Sequence, residues 1–201
     1  MKLFYTSGAC SLSPHIALCE SGLEFQTESV DLQSKRTASG ADFLVLNPKG
    51  YVPALVLGAG EVLTEGAAIV QYIADQVPER QLAPANGTQE RYHLQGWLNF
   101  IGCELQKPCG AFFNPRASDD WKAAARANLE KRLGYLDDYL ADREYLLGER
   151  FSVADGYLFT VLRWMPPNGL ALERWPNLAA YQARIQARPA VQRALQTEGL
   201  A

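Results

Sequence analysis

The chain has 201 residues, 48% of them hydrophobic and 20% charged, with a formal net charge of −3. That length can bury a core for one domain or two small ones, and the composition is that of a folded globular protein. The mildly acidic balance argues against a nucleic-acid surface, and no apolar run reaches the roughly 18 residues of a membrane span.

The opening MKLFYTSGAC lacks the apolar core of a secretory leader, so a cytoplasmic protein is expected. In that setting the four cysteines, Cys10, Cys19, Cys103 and Cys109, read as thiols. None forms a CxxC pair, and His15 and His93 stand apart, so no metal site is expected.

KLFYT (2–6) reads as a strand. Leu12, Ile16, Cys19 and Leu23 follow at helical spacing, with Ser11 or Ser13 as cap, Pro14 in the first turn and Gly22 at the end. FQTESVD (25–31) is a second strand, followed by a polar stretch and a short helix ending at LNPKG. VPALVLGAGEVLTE reads as a hairpin, and EGAAIVQYIADQV as a helix burying Ile69, Tyr72 and Ile73. The order βαβαββα predicts an α/β domain over residues 1–77.

Residues 78–88, PERQLAPANGT, carry two prolines and a glycine without periodicity and read as a linker. From 89 to 201 every periodic segment is helical, predicting an all-α domain. Leu94, Leu98, Ile101 and Leu105 form one stripe, which Pro108 interrupts; Leu129, Leu133, Leu136 and Leu140 form another. Ser152 and Asp155 make a capping-box pattern before a helix whose Leu158, Val161, Leu162 and Met165 face inward. Leu178, Tyr181 and Ile185 give a last buried face.

Cys10 sits where a strand meets a helix. A helix N-terminus offers unpaired amides and partial positive charge, which favour thiolate over thiol. Cys10 is therefore either a working thiol or a small apolar filler. Cys19 reads as core, and Cys109, after a proline, as exposed. Pro53 opens a strand, where a cis Val52–Pro53 bond is expected. Glu65 suits either helix capping or a ligand, and Lys35 taken alone is a solvated lysine.

Taken together, FYTSGACSLSPHIAL, LNPKGYVPAL, LTEGAAIVQYIAD, LGERFSVADGYLFTVLRW and ARPAVQRAL resemble the cytosolic glutathione transferase family, most closely its bacterial beta class. The likeness spans essentially the whole chain. It implies a thioredoxin-like first domain, an all-helical second domain carrying the electrophile site, glutathione as co-substrate and a homodimer. It places Cys10 beside the glutathione sulfur, able to form a mixed disulfide with it, and Ser11 as a donor to a thiolate. Val52, before Pro53, would pair its backbone with the cysteinyl part of the tripeptide. Glu65 and Gly66 would hold the γ-glutamyl end, and Lys35 a glutathione carboxylate.

Asn99, Cys103, Glu104, Gln106 and Lys107 fall in the helix that lines the family's cleft, some reaching the neighbouring subunit's ligand. Gln106 stands where relatives often carry histidine, and it cannot titrate near neutrality. Gly66 replaces a common serine, leaving only its backbone N–H. Tyr5, Phe113 and Trp164 are expected around the substrate. The activity implied is conjugation of glutathione to small hydrophobic electrophiles, as in detoxification. Thiol–disulfide exchange through Cys10 is the alternative, and a non-catalytic ligand carrier the third reading.

Overall fold

A computed structural model describes residues 1–201. The chain forms two compact units, 1–83 together with 188–201, and 84–187. The boundary at 83/84 falls inside the stretch read as linker. Residues 188–201, read with the helical domain, group instead with the first unit.

The first unit contains β1 (Lys2–Tyr5), α1 (Leu12–Ser21), β2 (Gln26–Asp31), β3 (Arg36–Thr37), α2 (Phe43–Leu46), β4 (Ala54–Val56), β5 (Val62–Thr64) and α3 (Gly66–Asp75). Its five strands lie in the order β3-β2-β1-β4-β5. β1 runs parallel to β2, with Lys2 opposite Gln26, and antiparallel to β4, with Phe4 opposite Ala54. Successive residues Leu3 and Phe4 are both buried, which marks β1 as a central strand covered on both faces. On one face Phe4, Val30, Phe43, Val52 and Ala54 form a cluster. Gly22, left-handed at φ +73°, ends α1 as expected. In α3, Val70 is buried alongside Ile69 and Ile73, while Tyr72 is only partly covered.

The return of the chain explains the unit boundary. α9 (Pro189–Thr197) buries Val191, Ala194 and Leu195 and packs on α1. Arg188 forks onto Glu20, with Nε to Oε1 at 2.6 Å and Nη2 to Oε2 at 3.1 Å. The buried Glu198 accepts from the Gly8 amide at 3.0 Å and meets His15 Nδ1 at 2.8 Å. Contacts across 168 to 190 positions leave no trace in local periodicity.

The second unit contains α4 (Gln89–Phe100), α5 (Lys107–Phe113), α6 (Asp119–Tyr139), α7 (Val153–Leu162) and α8 (Pro176–Gln186). Its core includes Leu94, Leu98, Leu129, Leu133, Leu158, Leu178 and Tyr181, as the periodicity predicts. Every residue of α7 is buried, the pattern of a helix enclosed on all sides. Pro108 does not end the helix before it. Residues Ile101–Gln106 adopt π-helical geometry and carry the chain continuously from α4 into α5. A proline ring clashes with the carbonyl four residues back, and the wider π turn relieves that crowding. Cys109 is accordingly inside a helix and buried, not exposed.

Candidate functional site

In the first unit, the loop from Thr6 to Ser11 links β1 to α1. It turns tightly, with the Ala9 amide on the Thr6 carbonyl at 3.0 Å and Gly8 left-handed at φ +71°. Ser11 is fully buried; its hydroxyl accepts from Thr6 N at 3.1 Å and donates to Thr6 O at 3.2 Å. It closes the loop rather than capping α1, which has no side-chain cap. Ser13 does not cap either: its buried hydroxyl has no partner.

Cys10 donates its thiol to the Val52 carbonyl at 3.2 Å. Burial pushes that thiol up to about 11, with Glu65 adding to the rise. The backbone amides of Cys10 and Ser11 pull the other way, as helix-start chemistry predicts, but desolvation exceeds them. Cys10 is half-buried, and the balance at its thiol runs opposite to what a helix start alone would give. Position along the chain reveals a helix start, whereas enclosure by β4 and its flanks is a tertiary fact.

The Val52–Pro53 bond is cis, as expected, and both residues are buried. Glu65 precedes α3 at φ +69°, and Gly66 begins the helix. A side-chain carbon added at Gly66 would rest 3.8 Å from Pro53 Cγ, an ordinary contact. Lys49 pairs with Glu65 Oε1, and Tyr51 donates to the same oxygen at 3.2 Å. These bonds, led by the one from Lys49, hold the Glu65 carboxyl below the usual carboxylate range. Lys35, also left-handed at φ +57°, donates Nζ to the Gly50 carbonyl at 2.6 Å. Tyr5 packs near His15, ring centroids 5.8 Å apart. Cys10, Ser11, Val52, Pro53, Glu65 and Gly66 are thus gathered at one end of the sheet, with Lys35 joined through Gly50.

In the second unit, Asn99, Cys103 and Lys107 recur every four residues and are all exposed. Glu104 is engaged by Arg132, with Nε to Oε2 at 2.9 Å. Gln106 Oε1 accepts from the Tyr157 hydroxyl at 2.5 Å. The five candidates therefore do not share one direction: three form an exposed stripe, and two are held by α6 and α7. Phe113 is exposed and meets Trp164 edge-to-face at 5.5 Å. Side chains in which no three of His, Cys, Asp or Glu converge offer no metal cluster.

Lys49, Tyr51 and Tyr157 were not among the sequence candidates. Lys49 and Tyr51 flank Gly50 in the same NPKGYVP stretch that signals Pro53, so their proximity to the site was readable. Tyr157 lies in a helix whose pattern shows only apolar burial.

The family model for the glutathione S-transferase N-terminal domain matches residues 1–75, and that for the C-terminal domain matches residues 100–189. Glutathione S-transferase GstA of Escherichia coli O157:H7 is 51% identical over 201 residues, with 100% of both chains covered. The solved structure of BphK, a bacterial GST in a ternary complex, is 59% identical with a TM-score of 0.98, covering 100% of both chains. The bacterial beta class glutathione S-transferase of Sphingomonas chungbukensis is 50% identical with a TM-score of 0.97, again over 100% of both chains. A thioredoxin-like mixed sheet, a helical second unit and full-length likeness lead to one assignment: the chain belongs to the glutathione S-transferase family and resembles its bacterial beta class.

Proposed function

We propose that the enzyme conjugates reduced glutathione to small hydrophobic electrophiles, with Cys10 acting as a neutral donor to the glutathione sulfur. The observation that carries this reading is the Cys10 thiol, held protonated by burial and donating to the Val52 carbonyl. Val52 is the residue whose backbone would receive the cysteinyl part of glutathione. A peptide N–H arriving at its carbonyl competes with the Cys10 thiol, which is then redirected to the incoming sulfur. A donor at that point favours the thiolate of glutathione over its thiol. Glutathione's proton leaves to solvent, its sulfur forms a bond to the electrophile's carbon, and the leaving group departs with the bonding pair.

Ser11 keeps the loop closed, and Glu65 with Gly66 takes the γ-glutamyl end. Lys35 acts by fixing Gly50 as well as by its charge. Asn99, Cys103 and Lys107 are the exposed glutathione-contact candidates of the second unit, and a homodimer is the assembly in which some serve the neighbouring subunit. Phe113 and Trp164 offer aromatic surface to an apolar electrophile. Binding supplies orientation, which makes the attack on the electrophile effectively unimolecular. Disulfide exchange would need Cys10 as a thiolate, and burial opposes that.

Glutathione-affinity retention and chlorodinitrobenzene conjugation, measured on wild type, Cys10→Ala and Cys10→Ser, test the reading. Wild type is retained and active, and Cys10→Ala is retained with conjugation lowered about tenfold, the scale of one lost charge-assisted contact, whereas Cys10→Ser, which keeps a donor, stays near wild type. Unchanged conjugation in Cys10→Ala with disulfide exchange abolished would make Cys10 a redox group. A wild type neither retained nor active would overturn the transferase reading in favour of a ligand carrier.

A further inference from the structure

Four side chains meet just ahead of α3. Lys49 Nζ contacts Glu65 Oε1 and donates to Thr64 Oγ1 at 3.0 Å, while Tyr51 donates to Glu65 Oε1 at 3.2 Å. All contacts to the carboxylate fall on Oε1, and none on Oε2. The Lys49 and Glu65 side chains are 45% and 57% exposed, so their attraction is screened by water and adds little to stability. Glu65 nevertheless holds φ +69°, a backbone region that side chains other than glycine avoid.

The surroundings show what the cluster is suited to bind. α3 begins without a side-chain cap, and a helix leaves its first amides without intrahelical acceptors. Gly66 supplies no hydroxyl. Of the two lysines nearby, Lys35 is committed to the Gly50 carbonyl at 2.6 Å. Lys49 carries three N–H donors, and two are used on Thr64 and Glu65. One acceptor oxygen and one ammonium donor are therefore presented side by side at the start of a helix.

We propose that Lys49 is a specificity-determining residue that receives the α-carboxylate of the γ-glutamyl group, so that Lys49 and Glu65 read that group together as a zwitterion. The proposal rests on the glutathione reading given above. Glu65 Oε2 accepts from the ligand's α-ammonium. The third donor of Lys49, with the Gly66 amide, serves its α-carboxylate. Lys49 thereby supplies the contact that a hydroxyl at position 66 would otherwise make. The ligand class selected is a peptide whose first residue carries a free ammonium and a free carboxylate on one carbon.

The test compares glutathione with 4-aminobutanoyl-cysteinylglycine, which keeps the ammonium and lacks the α-carboxylate, by titration calorimetry. Lys49→Met weakens glutathione binding about fivefold, the scale of one exposed ionic contact, and does not weaken the analogue. Gly66→Ser, which the space beside Pro53 accommodates, restores glutathione affinity in the Lys49→Met background. Equal losses for both peptides would overturn the proposal and make Lys49 a mere support for Glu65. Undiminished glutathione binding by Lys49→Met would overturn it as well. A wild type that binds neither peptide would instead overturn the glutathione reading beneath it.

Discussion

The two units differ in how most of their helices begin. In the second unit, Thr88 caps α4 by accepting from Arg91 N at 3.3 Å, and Ser118 caps α6 by accepting from Trp121 N at 3.2 Å. Ahead of α7, Asp155 accepts from the Ser152 amide at 2.7 Å and from the Ser152 hydroxyl at 2.8 Å. In the first unit, α1 and α3 start without any side-chain cap. Ser11 is turned to Thr6, and Glu65 to Lys49 and Tyr51. Only the short α2 is capped there, by Asp42. A cap contributes about 1 kcal/mol, so leaving the starts of α1 and α3 open is a loss of stability. α5, α8 and α9 also start without a side-chain cap, but each carries a proline at its first or second position, which removes an amide that would need one. The open starts of α1 and α3 lie beside Cys10 and Glu65, where a ligand's carboxylate or thiolate can use the amides.

Asp155 carries the largest single share of the capping in the second unit. Its carboxylate also accepts from Leu146 N at 2.8 Å and from the Tyr181 hydroxyl at 2.9 Å. Asp155→Ala leaves these buried donors without partners and should cost about 3 kcal/mol, lowering the melting temperature by roughly 6–12 °C. Urea denaturation measures the loss, and glutathione affinity of the folded variant should be unchanged. A loss no larger than that of a surface cap would mean that α7 is held by packing alone, and the contrast would fail on the structural side.

The next effect concerns Cys10. In the unfolded chain its thiol titrates near the ordinary 9.0, and in the folded protein burial raises it to about 11. Below pH 9 both states keep the proton, so the stabilisation is fully present. Between pH 9 and 11 the unfolded thiol ionises first, and on the order of 2 kcal/mol of stability is lost. Alkylation by iodoacetamide, followed at Cys10 by peptide mass, should show a midpoint near pH 11 without glutathione. Cys10→Ser should remove the alkaline loss of stability. A midpoint below pH 8 would mean that the open helix start outweighs desolvation.

Much of this contrast is legible in the sequence, because caps and apolar stripes are local. Ser152 with Asp155, Gly22, and the stripes through Leu98 and Leu133 follow from spacing alone. Two-residue β3 was missed, being too short and polar to show alternation. The helix continuing through Pro108 was missed because a proline normally stops one, and the π turn that admits it has no sequence signature. The grouping of 188–201 with α1 rests on Glu198 meeting His15 and Gly8, a long-range contact. Candidate residues of the first unit lie in short motifs with strong backbone demands, at Gly8, Pro53 and Glu65, so their neighbourhood was readable. What each does there was less so. The ionisation of Cys10 depends on how tightly other segments enclose it, and the commitment of Lys35 to Gly50 and of Lys49 to Glu65 depends on loop geometry.

The smallest effect tests whether an ordinary cap is purely structural. Ser118→Ala removes the bond to Trp121 N at an exposed helix start. Asp119 and Asp120 remain in the first turn of α6, where their charges favour the helix's positive end. They offset part of the loss, so the cost should lie near the low end for caps, about 0.5–1 kcal/mol. Denaturation midpoints should register that shift while glutathione affinity and conjugation stay at wild-type values. Were activity to fall with so small a change in stability, capped helix starts would also bear on function. The assignment of ligand binding to the open starts of α1 and α3, and of stability alone to the capped starts, would then have to be abandoned.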